Sequence, residues 1–131
     1  MKHLRKINEG HNIPNDGSEY PTFRDICTQI KYILLDIKDD YPGIDGEIFD
    51  IEGSKEYGDS ALYMIVLDCE NVKIEGYGTI QHYRDKIKFM NLILDSCKRL
   101  EDALNVTTFI PNLDDFTHWQ HSSIKITLYK K

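Results

Sequence analysis

Apolar residues between positions 83 and 104 recur every three or four residues, which is the spacing of one face of a helix. The stripe consists of Tyr83, Ile87, Met90, Ile93, Leu94, Cys97, Leu100 and Leu104. Asn105 tolerates the left-handed conformation that often caps a helix, and the β-branched residues 106–108 then change the period. The pattern predicts a helix over residues 83–104, about 33 Å long at 1.5 Å per residue.

A second stripe of the same kind predicts a helix over residues 22–39. Its apolar members are Phe23, Ile26, Cys27, Ile30, Ile33, Leu34 and Ile37. Thr22 and Asp25 have the spacing of a capping box, in which each side chain binds the backbone N–H of the other. Pro42 and Gly43 favour a turn after the helix, because proline restrains the residue before it and glycine permits unusual backbone angles.

Shorter apolar segments predict five strands. They cover residues 47–52, 61–67, 72–75, 106–110 and a C-terminal segment around Ile124, Ile126 and Leu128. Residues 61–67 are apolar at both odd and even positions, which indicates a central strand buried on both faces. Glu70-Asn71 has the length of a hairpin connection to the strand predicted over residues 72–75. The order α-β-β-β-α-β-β predicts an α+β fold, a two-layer sandwich with two helices on one face of a mostly antiparallel sheet of four to five strands.

Composition and length indicate one globular domain. The chain has 131 residues, of which 40% are hydrophobic and 29% charged, as in ordinary soluble proteins. We assign residues 20–131 to this domain and residues 1–19 to a basic leader and loop. No apolar run reaches the ~18 residues of a membrane span, and no apolar region of a secretory signal follows the basic start. Three cysteines cannot all pair, which favours a reducing, intracellular setting.

Charge is concentrated in residues 36–75, which we call the acidic segment. It carries twelve acidic and three basic side chains, a net charge of −9 in a chain whose total is −6. General nucleic-acid binding is disfavoured, because phosphate contacts need a basic surface. The first five predicted elements share the order of a double-stranded-RNA-binding domain, but the acidic segment lies where such a domain carries basic residues.

The acidic segment favours a non-enzymatic module that engages a protein partner, a basic one if charge guides the encounter. The candidate contact residues are Asp39, Asp40, Asp45, Glu47 and Asp50. Two alternatives stay open: a solvated surface that only keeps the protein in solution, and a divalent-cation site built from carboxylates. The glycine register does not fit an EF-hand loop.

A second candidate site is an anion-binding turn formed by Gly78, Thr79 and Arg84. A strand, a glycine turn and a helix start can present free N–H groups to an anion, and Lys86 and Lys88 add positive charge. This anion-binding turn, together with nearby carboxylates, predicts the alternative function, a small metal-dependent phosphoryl hydrolase or a nucleotide- or anion-binding protein. The dinucleotide pattern fails, because Gln81 stands where its third glycine belongs. These basic side chains could equally interact with the chain's own acidic loop and not with a bound anion.

Asp114, Asp115, His118 and His121 form a third candidate, a divalent-metal site. The His-Glu-x-x-His spacing is missing, so ordinary surface residues are the alternative, with Trp119 as a lid over the core edge. There is no Gly-x-Ser-x-Gly nucleophile elbow, and Cys69 lies beside Glu70, where a thiolate is disfavoured. We therefore predict no cofactor, no metal and no catalytic residues.

The leader, residues 1–9, resembles the first residues of small proteins encoded by large tailed bacteriophages. Ile7-Asn8-Glu9-Gly10 is similar to the Leu/Ile-x-Glu site that the prohead protease of such phages cuts before a small residue. The resemblance implies a phage accessory or virion-associated protein, found in the host cytoplasm or the virion and not secreted. The alternative is a basic chain terminus without that role.

Overall fold

A computed structural model of the chain describes residues 22–111, 113 and 123–131. The helices and strands are α1 (Phe23–Asp40), β1 (Asp45–Asp50), β2 (Ala61–Asp68), α2 (Ile80–Leu104), β3 (Val106–Phe109) and β4 (Ser123–Lys130). The strands form one antiparallel sheet in the order β1-β2-β4-β3. Both helices pack on one face of it and share a single apolar core with Ile65 and Ile126. The predicted α+β fold is confirmed.

Helix α1 begins and ends within one residue of its prediction. Thr22 Oγ1 accepts a hydrogen bond from the Asp25 N–H at 3.2 Å, and Asp25 Oδ2 accepts one from the Thr22 N–H at 3.2 Å, which completes the capping box. The buried apolar side chains are Ile26, Ile30, Ile33, Leu34 and Ile37. The periodicity therefore located both the helix and the face that it buries.

Helix α2 begins three residues earlier than predicted, because Thr79 caps it by accepting a hydrogen bond from the His82 N–H. Asn105 ends it in the left-handed conformation, as predicted. The buried positions are His82, Phe89, Ile93, Ser96, Cys97 and Leu100. Tyr83, Ile87 and Leu94 of the predicted stripe are 48%, 56% and 48% exposed. The predicted stripe is therefore confirmed at Ile93, Cys97 and Leu100, which face the core, and is wrong at its exposed members.

The predicted strand over residues 72–75 does not form. A turn does close at Glu70-Asn71, where the Val72 N–H donates to the Cys69 carbonyl at 3.0 Å. β1 and β4 occupy both sides of β2, however, so a hairpin partner has no place beside it. Val72 and Ile74 are buried and Lys73 is exposed, so the alternation records packing on the core without a hydrogen-bonded ladder.

β1 lies two residues earlier than predicted and forms one edge of the sheet. Ile48 pairs with Ile65, which is fully buried, so its half-buried side chain faces the helices. Phe49 pairs with Met64 on the opposite face and is 42% exposed. The strand thus has an inner row of side chains that includes Ile48 and an outer row that includes Asp45, Glu47 and Phe49.

Glu101 joins the end of α2 to β3. Its Oε2 accepts hydrogen bonds from the backbone N–H and the hydroxyl of Thr108, both at 2.9 Å. These bonds to the backbone and side chain of Thr108 lower the pKa of Glu101, because they favour the ionised carboxylate. The interaction links two elements that are adjacent in the chain and so fixes how β3 leaves the helix.

We expect Glu101→Gln to lower the free energy of unfolding by about 1 kcal/mol at pH 7, since the charge-assisted bonds are weakened. A lowered pKa in the folded state means that the stabilisation is present above the carboxyl's unfolded value. It is lost as the pH falls through the folded value, so the difference between wild type and variant should shrink below about pH 4. Urea unfolding from pH 7 to pH 3 measures it. The exposed neighbour Asp102→Asn is the control, and a difference that stayed constant with pH would contradict the assignment.

Candidate functional site

The five carboxylates of the acidic candidate surround one end and one edge of the sheet. Asp39 and Asp40 lie in the last turn of α1, and Asp45, Glu47 and Asp50 lie on β1. All five are exposed. Asp45 and Asp50 are separated by five residues of strand, about 17 Å at 3.4 Å per residue. Three of the carboxylates therefore lie along β1 and two at the end of α1, so the structure does not gather the five around one point.

Two of the five carboxylates have partners within the chain. Asp45 lies 3.5 Å from Lys38 Nζ, and Asp50 Oδ1 accepts a hydrogen bond from the Glu52 N–H at 3.1 Å. Elsewhere in the acidic segment, Asp36 forms an ion pair with Arg99. Ion pairs this exposed stabilise the fold by at most about 1 kcal/mol each. The hydrogen bond to Asp50 leaves its charge in place, so the local negative charge is only partly neutralised.

Asp39, Asp40 and Glu47 are three of the candidate carboxylates without a cation beside them. Across the described residues, no lysine or arginine nitrogen comes within 4 Å of any of their carboxylates. Asp39 and Asp40 also lie at the carboxyl end of α1, where the negative end of the helix dipole disfavours an anion. Two acidic residues at this position cost the helix some stability, so helix formation does not explain their presence.

The open side of β1 presents main-chain groups from the inner row. The Ile51 N–H donates to the Leu62 carbonyl at 3.0 Å, one step beyond the Asp50–Tyr63 pair. Hydrogen-bonded and non-bonded pairs alternate along an antiparallel ladder, so Phe49 and Glu47 also bond to β2. The N–H and C=O groups of the intervening residues, Ile48 among them, point away from the sheet.

An apolar groove of about 600 Å³ runs between α1 and β1. Its walls include Leu34, Leu35 and Ile37 of the helix and Ile48 and Leu67 of the sheet, with Lys31 and Lys38 also lining it. Leu35 is 46% exposed, whereas Leu34, Ile37 and Leu67 are buried and Ile48 is half-buried. Sequence reasoning missed the groove; the only signal was Leu35, which extends the buried stripe of α1 by one position.

In the anion-binding candidate, the hydroxyl and N–H of Thr79 are already hydrogen-bonded within the chain at the start of α2. The Thr79 hydroxyl oxygen accepts from the His82 N–H at 3.1 Å, and the Thr79 N–H donates to the Gly76 carbonyl at 2.9 Å. Gly76 and Gly78 have positive φ angles, 74° and 89°, which the turn requires. Arg84 instead lines a shallow depression with Asp40, so the structure does not gather the three predicted residues into one site.

His82 is a structural residue at this turn. Its side chain is buried, and Nδ1 lies 3.2 Å from the Glu75 carbonyl oxygen. The rings of Tyr77 and Tyr83 contact it edge-on, each with its centroid 5.4 Å away. These contacts hold residues 75–77 against the start of α2, and they explain the glycine turn without any ligand.

The thiols are poorly suited to nucleophilic chemistry. Burial raises the pKa of Cys69 to about 11 and that of Cys97 to about 12, and nearby carboxylates add to both shifts. Burial also raises the pKa of the half-buried Cys27, which Lys31 partly offsets. All three cysteines are free, and at neutral pH they are protonated side chains that pack as small hydrophobic groups.

The third candidate, Asp114, Asp115, His118 and His121, lies outside the described residues. Within the described ranges, no three histidine, cysteine, aspartate or glutamate side chains are grouped so that they could hold a metal ion. None of the helices described is both long and apolar enough to cross a membrane. The chain matches no known family model, no curated protein and no solved structure.

Proposed function

We propose that this chain is a non-enzymatic protein-interaction module that engages a basic segment of a partner protein through the carboxylates around β1. The observation that carries the proposal is the exposure of Glu47 on the open edge strand and of Asp39 and Asp40 at the end of α1, with no described lysine or arginine nitrogen within 4 Å of the three carboxylates. Carboxylates that stabilise neither a helix nor an ion pair remain available to a partner.

Charge in this arrangement acts first on the encounter. A band of one sign attracts an oppositely charged surface over roughly one Debye length, about 8 Å at physiological salt, and raises the association rate. The binding should therefore weaken as salt is added. The acidic segment carries a net charge of −9 and the rest of the chain a net charge of +3, so the attraction is directional.

The proposed setting is a bacteriophage, with the protein acting as an accessory or virion-associated factor in the host cell. Support for this comes from the resemblance of residues 1–10 to phage leaders, and those residues lie outside the described part of the chain. The anion-binding alternative draws no support from the turn at Thr79, whose hydroxyl and N–H both serve the helix start.

The test is affinity capture from lysate of the producing cells with a variant that carries Asp39→Asn, Asp40→Asn and Glu47→Gln. Each exposed charge contributes up to about 1 kcal/mol, so we expect roughly tenfold less of a basic partner on the variant. The matched control removes three carboxylates of α2, all outside the acidic segment, by Asp85→Asn, Asp95→Asn and Asp102→Asn, with the same change in net charge.

Wild type and control should hold the partner equally, and added salt should release it from both. Thermal unfolding guards against misfolding: the test variant should melt no lower than wild type, because two of its changes remove unfavourable charge from the end of α1. Equal capture by all three proteins would rule out the proposal.

A further inference from the structure

The open edge of β1 is a template for one more strand. β1 is outermost in the sheet, and no described residue pairs with its free side. Its outward-pointing N–H and C=O groups come from the inner row, which alternates with the residues bonded to β2. An edge strand with unpaired main-chain groups binds extended segments by continuing the ladder.

The two sides of such an added strand would meet different chemistry. Its inner side chains would lie beside Ile48 and enter the apolar groove against Leu34 and Leu35. Its outer side chains would lie beside Asp45 and Glu47, which are exposed carboxylates. Because side chains in a strand alternate between its faces, one extended segment can satisfy both sides.

The lysines of the groove decide which side takes the basic residues. Lys31, Lys38 and Asp45 all line it, and because Asp45 pairs with Lys38, a basic side chain directed inward would meet the unpaired charge of Lys31. Lys38 is paired with Asp45 across the mouth, 3.5 Å away. Aliphatic side chains avoid this repulsion and bury the exposed surface of Leu35. Basic side chains are therefore expected on the outer side beside Asp45 and Glu47, and on the inner side only opposite Asp50, which shares the row of Ile48.

We infer that the partner segment adds to the sheet as a strand along β1, with aliphatic side chains in the groove between α1 and β1 and alternating basic side chains against Asp45 and Glu47. The inference rests on the proposed function and specifies its ligand: an extended segment in which aliphatic and basic residues alternate. Main-chain bonds would supply affinity, and the two rows of side chains would supply specificity.

The probe is a capped heptapeptide in which four lysines alternate with three valines, and its binding to the full chain is measured by calorimetry. A peptide of the same composition with the four lysines in one block is the control, expected to bind at least tenfold more weakly.

Two further probes carry N-methyl groups on the valines or on the lysines, which removes those N–H donors and keeps the side chains. In antiparallel addition the residues opposite Ile48 make the bonds, so valine methylation should abolish binding. In parallel addition the lysines, which neighbour those residues, make the main-chain hydrogen bonds to Ile48, so lysine methylation should abolish binding.

A matched pair of protein variants tests the groove. Leu35 and Leu94 are exposed to similar extents, 46% and 48%, on different helices. We expect Leu35→Asp to weaken binding of the alternating peptide at least tenfold and Leu94→Asp to leave it unchanged. Both substitutions are at exposed positions, and the thermal melting of each variant shows whether it folds.

The outcomes separate this inference from the proposed function. Loss of binding with only one of the two methylated peptides supports strand addition and gives its direction. Equal binding of both, or of the alternating and block peptides, overturns strand addition, while capture that still depends on Asp39, Asp40 and Glu47 leaves the proposed function standing. If no peptide binds but capture of the partner still depends on Asp39, Asp40 and Glu47, strand addition is likewise overturned and the proposed function stands.

Discussion

Replacing Ile93 by alanine should lower the free energy of unfolding by about 2 to 5 kcal/mol, whereas the same change at Ile87 should alter it by less than about 0.5 kcal/mol. Ile93 is fully buried against the core and Ile87 is 56% exposed, six residues earlier in α2. Truncation at Ile93 removes buried methyl groups and leaves a cavity that the surrounding side chains fill only partly. Alanine is also the better helix former, which benefits both variants equally.

Urea unfolding followed by circular dichroism provides the measurement. The two substitutions are chemically identical and lie in one helix, so helix propensity cancels in their difference and burial remains. Equal destabilisation by both would mean that the stripe through Tyr83 and Ile87 is packed in solution. That result would restore the face predicted from the periodicity of residues 83–104.

Ile65→Thr should cost about 2 to 4 kcal/mol, while Val66→Thr should cost less than about 1 kcal/mol. Ile65 faces the helices and is fully buried, so threonine there loses apolar contacts and buries a hydroxyl. Val66 is only half-buried and lies between Glu47 and Lys125 on the opposite face of the sheet. Threonine matches valine in shape there, and its hydroxyl remains near polar groups.

The same unfolding experiment checks this pair, and both variants keep a β-branched residue so that strand propensity is preserved. The comparison tests the register of β2, because a shift of one residue exchanges the two faces of a strand. A larger loss at Val66 than at Ile65 would show that the register is wrong. The assignment of β1 would then fail with it, since Glu47 pairs with Val66.

The proposed interaction surface depends on this register. Glu47 faces outward and Ile48 faces the groove only because their partners are Val66 and Ile65. The acidic row and the apolar groove are therefore two sides of one strand. A partner that needs both must be extended, and a helical segment would present its side chains at the wrong spacing. This is why peptide alternation and not net charge alone is the discriminating variable.

Several features of the fold follow from residues close together in the sequence. The capping box of Thr22 and Asp25 and the left-handed cap at Asn105 each involve one helical turn, and both were predicted correctly. The continuous apolar character of β2 indicated a central strand, which its pairing with β1 and β4 confirms. Charge was equally local, since Asp39, Asp40 and Glu47 could be named as acidic surface residues without any coordinates.

Other features depended on contacts between distant residues. The sequence could not show that β1 and β4 both pair with β2, and this pairing is what denies a ladder to residues 72–75. It could not show which members of the predicted stripe of α2 are covered, because all of them have helical spacing and only the packing of distant elements decides which are buried.

The sequence by itself determined the elements, their caps and the charge of the surface, because those depend on neighbours within a few residues. Only the tertiary structure decided which strand became the edge and which carboxylates stand beside it without a cation. It also formed the groove, whose walls Leu35, Ile48 and Leu67 are brought together from α1, β1 and β2. Burial of the shared core selects that arrangement, and no local pattern encodes which distant segments will meet.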